Sequence, residues 1–208
     1  MVGIGAHDGA RANGFMVHTN GNCYSANGIL SNSGADFAEY FEWADGNPTN
    51  EDRRGRIVSL VNGKIELAND DDFCLGVIST TGAYIGNCAH DEWHGKYLTD
   101  VFGERLREEV IVPAVIDEET GEEIAPSYKA EWYILNPDYD PNVEYIPREN
   151  RKEWAVVGLL GQVVVVDDGT CQVGGYVKPS TNGIGTTSDS GYRVMKRIDE
   201  NHIKVLVK

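Results

Sequence analysis

Between positions 31 and 43 a small, flexible stretch, Ser31-Asn32-Ser33-Gly34-Ala35, runs straight into Asp36-Phe37-Ala38-Glu39-Tyr40-Phe41-Glu42-Trp43, a row of carboxylates among aromatic side chains. Cutting a peptide bond needs a base to activate water and an acid to protonate the leaving nitrogen. Two carboxylates held close divide those tasks, because like charges resist ionising together and burial among aromatic residues disfavours the charged form. Asp36 and Glu39 are the candidate catalytic pair, with Glu39 as general base and Asp36 as proton donor; the reverse assignment is equally compatible with the sequence. The candidate scissile bond lies within Asn32-Ser33-Gly34.

The same residues have a plainer reading, in which Ser33 caps a helix and Asp36 is a favourable first-turn acid. Other chemistry is also open, since the Ser33 hydroxyl could drive an acyl shift or Asn32 could cyclise. Elsewhere the signals are weaker. Asp138, Asp140, Asn142 and Glu149 fall on a calcium-loop count, but Val143 stands where the sharp turn needs glycine. His90 and His94 are a lone i, i+4 pair with Cys88 nearby, short of a zinc ligand set. The runs Asp70-Asp71-Asp72 and Glu118-Glu119 with Glu122-Glu123 read as solvated surface. Residues 158–161 lack the Lys-Ser/Thr that a nucleotide loop requires, so no metal and no cofactor are expected.

The elements that must position the pair are predicted as mainly β: a hairpin-rich β domain with one or two short helices, following a short stranded N-terminal stub. Over residues 33–45 the apolar side chains share one side of a 3.6-residue wheel, which predicts a short amphipathic helix. A second short helix is expected over 97–110. Ile57–Val61, Asn62-Gly63 and the alternating residues after it spell a hairpin, continued by a strand in 73–80. Further hairpins are expected in 110–124, 158–173 and 192–207, with a proline-punctuated loop over 136–151. The dipeptides Asn13-Gly14, Asn20-Gly21 and Asn27-Gly28 suggest turns between short strands near the N-terminus.

Asp and Glu outnumber Lys and Arg 33 to 18, and a net charge of −15 repels phosphate backbones and anionic membranes, so neither nucleic acid nor membrane is an expected partner. No apolar run approaches the roughly 20 residues of a membrane helix, and no secretory leader precedes residue 30, which points to synthesis in a cytoplasm. Four scattered cysteines, Cys23, Cys74, Cys88 and Cys171, read as reduced thiols.

The run from Gly34 through Trp43, followed by Asp45-Gly46-Asn47, resembles the signature of phage tail-spike intramolecular chaperone domains with autoproteolytic activity, classed with the glutamic peptidases. The resemblance continues through Leu75-Gly76-Val77-Ile78, Ile85-Gly86-Asn87, Asn136-Pro137-Asp138-Tyr139-Asp140-Pro141, Trp154-Ala155-Val156-Val157-Gly158-Leu159-Leu160-Gly161 and Ser190-Gly191-Tyr192-Arg193-Val194. It implies a homotrimer that helps a spike fold and then severs itself, with Asp36 and Glu39 as the catalytic pair and the cut completed by an adjacent protomer. Residues 1–32 would then be the end of a tail-spike shaft and 33–208 the autoproteolytic domain, whose partners are its own copies and the upstream shaft. The setting would be a virion tail or appendage made in a bacterial host. A related class cuts at a serine with basic residues shortly downstream; here the nearest are Arg53 and Arg54, which favours the carboxylate type. Two other roles compete: a trimerisation module that never cuts, and a receptor-binding tip using Trp93, Trp132 or Tyr139.

Overall fold

The computed structural model describes residues 2–4, 12–17, 22–25, 32–88 and 95–208. Three short strands, β1 (Val2–Ile4), β2 (Ala12–Val17) and β3 (Cys23–Ser25), pair antiparallel in that order. Asn13-Gly14 lies inside β2 and not at a turn, while Asn20-Gly21 and Asn27-Gly28 fall outside the described residues.

The helix expected over 33–45 is a strand, β4 (Asp36–Glu42). Phe37, Tyr40 and Phe41 favour extended chain when neighbouring strands supply partners. Here β4 runs antiparallel to the long strand β13 (Trp154–Val166) and parallel to β8 (Gly82–Gly86). A run with apolar residues on both sides fits a wheel and a ribbon equally well, and long-range pairing decides between them.

The predicted hairpin is present as β5 (Ile57–Val61) and β6 (Lys64–Leu67). Asn62 and Gly63, with φ of 50° and 80°, form the left-handed pair that a two-residue turn demands. Strand β7 (Gly76–Ile78) links β5 to β13, as the reading of 73–80 expected.

No helix forms in 97–110, because Asp100 Oδ1 accepts from the backbone of Phe102 and Glu104 and Gly103 takes φ +85°, closing a turn that interrupts the run. Beyond it, β9 (Arg107–Val112) pairs with β12 (Tyr128–Tyr133), and β10 (Val115–Ile116) with β11 (Glu123–Ala125), as one hairpin nested inside another. The loop over 136–151 is irregular except for a single 3-10 turn, Arg148–Asn150.

A hairpin over 158–173 is also not what forms. The loop at Asp167-Asp168-Gly169 leads Cys171 into the core, and the second half of β13 pairs instead with the last strand, β17 (His202–Val207). Strands β14 (Tyr176–Pro179), β15 (Gly185–Ser188) and β16 (Tyr192–Arg197) complete a ten-stranded sheet, with β16 and β17 the expected hairpin.

The sheet has two buried faces. Ile57, Val77, Val163, Val165, Val177, Val194, Ile203 and Val205 fill one cluster; Trp43, Val58, Ile65, Ile78 and Val157 fill the other. A register shift between Gly158 and Leu160 turns β13 over, so that Val157 serves one cluster and Val163 the other. No helix among the described residues is long and apolar enough to cross a membrane.

Candidate cleavage site at the start of strand β4

The segment Asn32-Ser33-Gly34 leads into β4 and is clipped to β8. The Gly34 backbone N–H donates to Asn32 Oδ1 at 2.8 Å, and Asn32 Nδ2 donates to the Ala83 carbonyl at 3.1 Å. A side chain on Gly34 would meet the Ala83 Cα at 2.4 Å, so only glycine lets these two backbones lie together. Ala35 then bonds both neighbours, donating to the Thr81 carbonyl and accepting from the Gln162 N–H. Ser33 stays exposed in this turn, while Asn32 Nδ2, the atom that would attack in a cyclisation, is engaged by the Ala83 carbonyl. That geometry counts against cyclisation by Asn32.

Asp36, the first residue of β4, is 1% exposed. Its Oδ1 accepts from the hydroxyls of Ser79 at 3.1 Å and Thr81 at 3.0 Å. Its Oδ2 is buried without a hydrogen-bond partner, against Gly158, where an added Cβ would come within 2.7 Å of it. Gly161 closes the same pocket from β13: with φ +118°, any side chain there would press on the Ala35 carbonyl at 2.5 Å. On the far side of the two hydroxyls a cleft of about 430 Å³ opens to solvent, lined by Asp52, Arg54, Arg56, Thr80 and His202 as well as Ser79 and Thr81.

Glu39 is placed differently. Side chains three apart on a strand point to opposite faces and are about 10 Å apart along it. Glu39 therefore shares its face with Phe37, exposed and with no side-chain hydrogen bond or ion pair to a described residue, its side chain lying against Gly86. The pair expected to sit side by side on a helix is separated by the strand. Beside Glu39, Tyr84, Phe37 and Leu160 form a row across three strands, 64%, 57% and 52% exposed, with the two rings 6.1 Å apart.

Among the described residues, only Asp167, Asp168 and Cys171 come together as possible metal ligands, so Asp138, Asp140 and Glu149 do not converge. Arg197 already holds Asp167 at 2.7 Å, and burial, with the Asp167 charge, pushes the Cys171 thiol up to about 12, which keeps it protonated. His90, His94 and Trp93 lie outside the described residues. Ser79, Thr81, Gly158 and Gly161 were not singled out by sequence reasoning. Ser79 is a plain hydroxyl residue in the strand expected over 73–80 and Thr81 lies just beyond it, while the two glycines fall in a segment weighed only as a nucleotide loop, as the start of an expected hairpin and for its resemblance.

The family model Peptidase_G2, described as the IMC autoproteolytic cleavage domain, matches residues 5–204. The chain is 41% identical over 172 residues to a putative phage-related protein, YobO, of Bacillus subtilis (strain 168), covering 81% of this chain and 20% of that protein. It is 34% identical over 196 residues to the pre-neck appendage protein of Bacillus phage phi29, covering 90% of this chain and 21% of that one. The chain thus spans about a fifth of the length of these relatives. Among solved structures, pre-mature bacteriophage phi29 gene product 12 superposes with a TM-score of 0.71 at 34% identity, over 91% of this chain and 24% of that one. The C-terminal fragment of the same product superposes at 0.63 and 36% identity, over 83% of this chain and all of the fragment.

Proposed function

We propose how this chain works from one premise: it belongs to the Peptidase_G2 family of IMC autoproteolytic cleavage domains. It is a module of a phage appendage that assembles with two copies of itself, assists the folding of an upstream shaft, and cuts within Asn32-Ser33-Gly34, separating 1–32 from 33–208. Glu39 activates the water and Asp36 supplies the proton. The module acts once, on its own kind, in the virion appendage after synthesis in the host.

The observation that carries this reading is the opposed placement of the two carboxylates on β4. Glu39 stands exposed and unspent, at least about 10 Å of strand beyond the candidate bond of its own chain. While β4 is extended, a Glu39 can therefore serve only the bond of a neighbouring copy. The apolar row Tyr84, Phe37 and Leu160 beside it offers the surface on which that copy would settle. Assembly would then dry the site and fix the bond against the base, which makes cleavage a readout of completed assembly.

The test is intact mass on mixed assemblies. A Glu39→Gln chain alone should stay whole; co-assembled with wild type, the Glu39→Gln chain should itself be cut, losing about thirty residues. If it is never cut in the mixture while wild type is, the bond is served within one chain. If wild type, Asp36→Asn and Glu39→Gln all stay whole as assemblies, the module is structural. Cleavage by Ser33→Ala would exclude an acyl shift.

A further inference from the structure

Residues 95–136 leave the main sheet and return to it, closed at the base by Asn136 Nδ2 donating to the Gly95 carbonyl at 2.9 Å. None of these residues is buried. Yet the β9/β12 ribbon is unequal on its two sides: Val110, Val112, Tyr128, Ala130 and Trp132 share one side with Glu108 as its single charge, while Arg107, Glu109, Lys129 and Glu131 share the other with Ile111 and Tyr133. Tyr128 and Trp132 are 59% and 56% exposed. A two-stranded ribbon is marginal by itself in water and needs its apolar face covered.

Charge says what could cover it. The segment holds ten Asp and Glu against four Lys and Arg. Its tip presents Glu118, Glu119, Glu122 and Glu123, all exposed. By contrast, strands β14 to β17 of the main sheet contain no acidic residue. Lys178, Arg193, Lys196 and Lys204 share their outer face with Tyr176 and Leu206, and none of the four makes an ion pair among the described residues. In a chain of net charge −15 this is a segregated positive surface with apolar residues between its charges.

We propose that the 95–136 arm of one copy docks on the β14/β16/β17 face of a second copy. Complementary potentials select this contact, whereas arm against arm would set like charges together. Because arm and face are different surfaces, the contact is head-to-tail, which builds a ring when its rotation closes and an open filament when it does not; a closed assembly of three copies requires the former. The inference rests on the reading that the chain assembles with its own copies, and adds which surfaces meet.

Sedimentation across a concentration series, on the full chain, tests it. Arg193→Glu with Lys196→Glu and Lys204→Glu should weaken assembly at least about tenfold. Reversal of Glu118, Glu119, Glu122 and Glu123 to Lys should do the same, and a chain carrying both sets should recover. Far-ultraviolet dichroism checks that each variant is folded; should one fail, the wild type is read instead, whose assembly should weaken about tenfold from about 0.05 M to about 0.5 M salt. If copies assemble but ignore both reversals and salt, they meet elsewhere, so this docking is wrong while self-assembly stands. If only Trp132→Ser breaks assembly, ribbons pack on ribbons and the docking is likewise wrong. A wild type that is monomeric throughout removes both readings.

Discussion

Asp36 places a carboxylate where hydrophobic strands would ordinarily put valine, and the surroundings meet the cost at one oxygen: two hydroxyls satisfy Oδ1, while Oδ2 stays unpartnered in the room that Gly158 leaves. Gly158→Ala would drive a methyl to 2.7 Å from Oδ2 and 2.9 Å from Val163 Cγ2. It should cost about 1–3 kcal/mol in a denaturant titration. Thr81→Val removes one donor from a buried acceptor and should cost about 1–3 kcal/mol by the same measurement. Cys171 gives a pH signature. Burial first, then the Asp167 charge, raises the folded thiol from an ordinary value near 9 to about 12, and burial also raises Cys74 and Tyr192. The folded state holds these protons more firmly than the unfolded chain does. Their contribution to stability is therefore complete below about pH 9 and is lost as pH climbs toward about 12. The urea midpoint should fall over that window, and less steeply in Cys171→Ala.

Among the elements, the β5/β6 hairpin was legible because Asn62-Gly63 dictates a turn from two residues alone, and β16/β17 because alternation survives where one face is buried. The identity of β4 was not legible: Phe37, Ala38, Tyr40 and Phe41 suit a helix until β13 and β8 claim both edges of the backbone. With that element went the geometry of the site, since three residues are a neighbour on a helix and an opposite on a strand. The residues after β4 show how it is anchored. Trp43 is 2% exposed in the core cluster with Val58, Ile65, Ile78 and Val157, and Arg53 stacks over its ring at 4.4 Å while holding Asp45. Trp43→Ala should lose about 3–5 kcal/mol. Arg53→Ala, which removes a side chain only 10% exposed together with its bonds to Asp45 and Glu51 and its stacking on Trp43, should lose less, about 1–3 kcal/mol. Thermal or denaturant unfolding of the two variants checks the difference.

At the scale of the whole molecule, both core clusters lie in the main sheet, and the 95–136 arm contributes nothing to either. Replacing the arm by a short Gly-Ser link between its adjacent ends should leave the unfolding midpoint of separated copies within a few degrees of wild type, by calorimetry at low concentration. A large fall would mean that the arm stabilises its own sheet. Among the described residues the arm is a long excursion whose more apolar face the chain leaves uncovered, which suits it to a contact between copies.

By itself the sequence determined the β class, the turns that two residues can specify, the charge balance, and a short signature with its candidate bond and carboxylates. Those are properties of composition, local conformation and matching strings of residues. The tertiary structure alone decided that the signature runs as a strand, that Asp36 faces Ser79, Thr81 and Gly158, and that Glu39 turns outward. These facts depend on which strands pair across more than forty residues of chain, as Ser79 Oγ does with Asp36. Hydrogen bonding between distant backbones, and not local preference, fixes them.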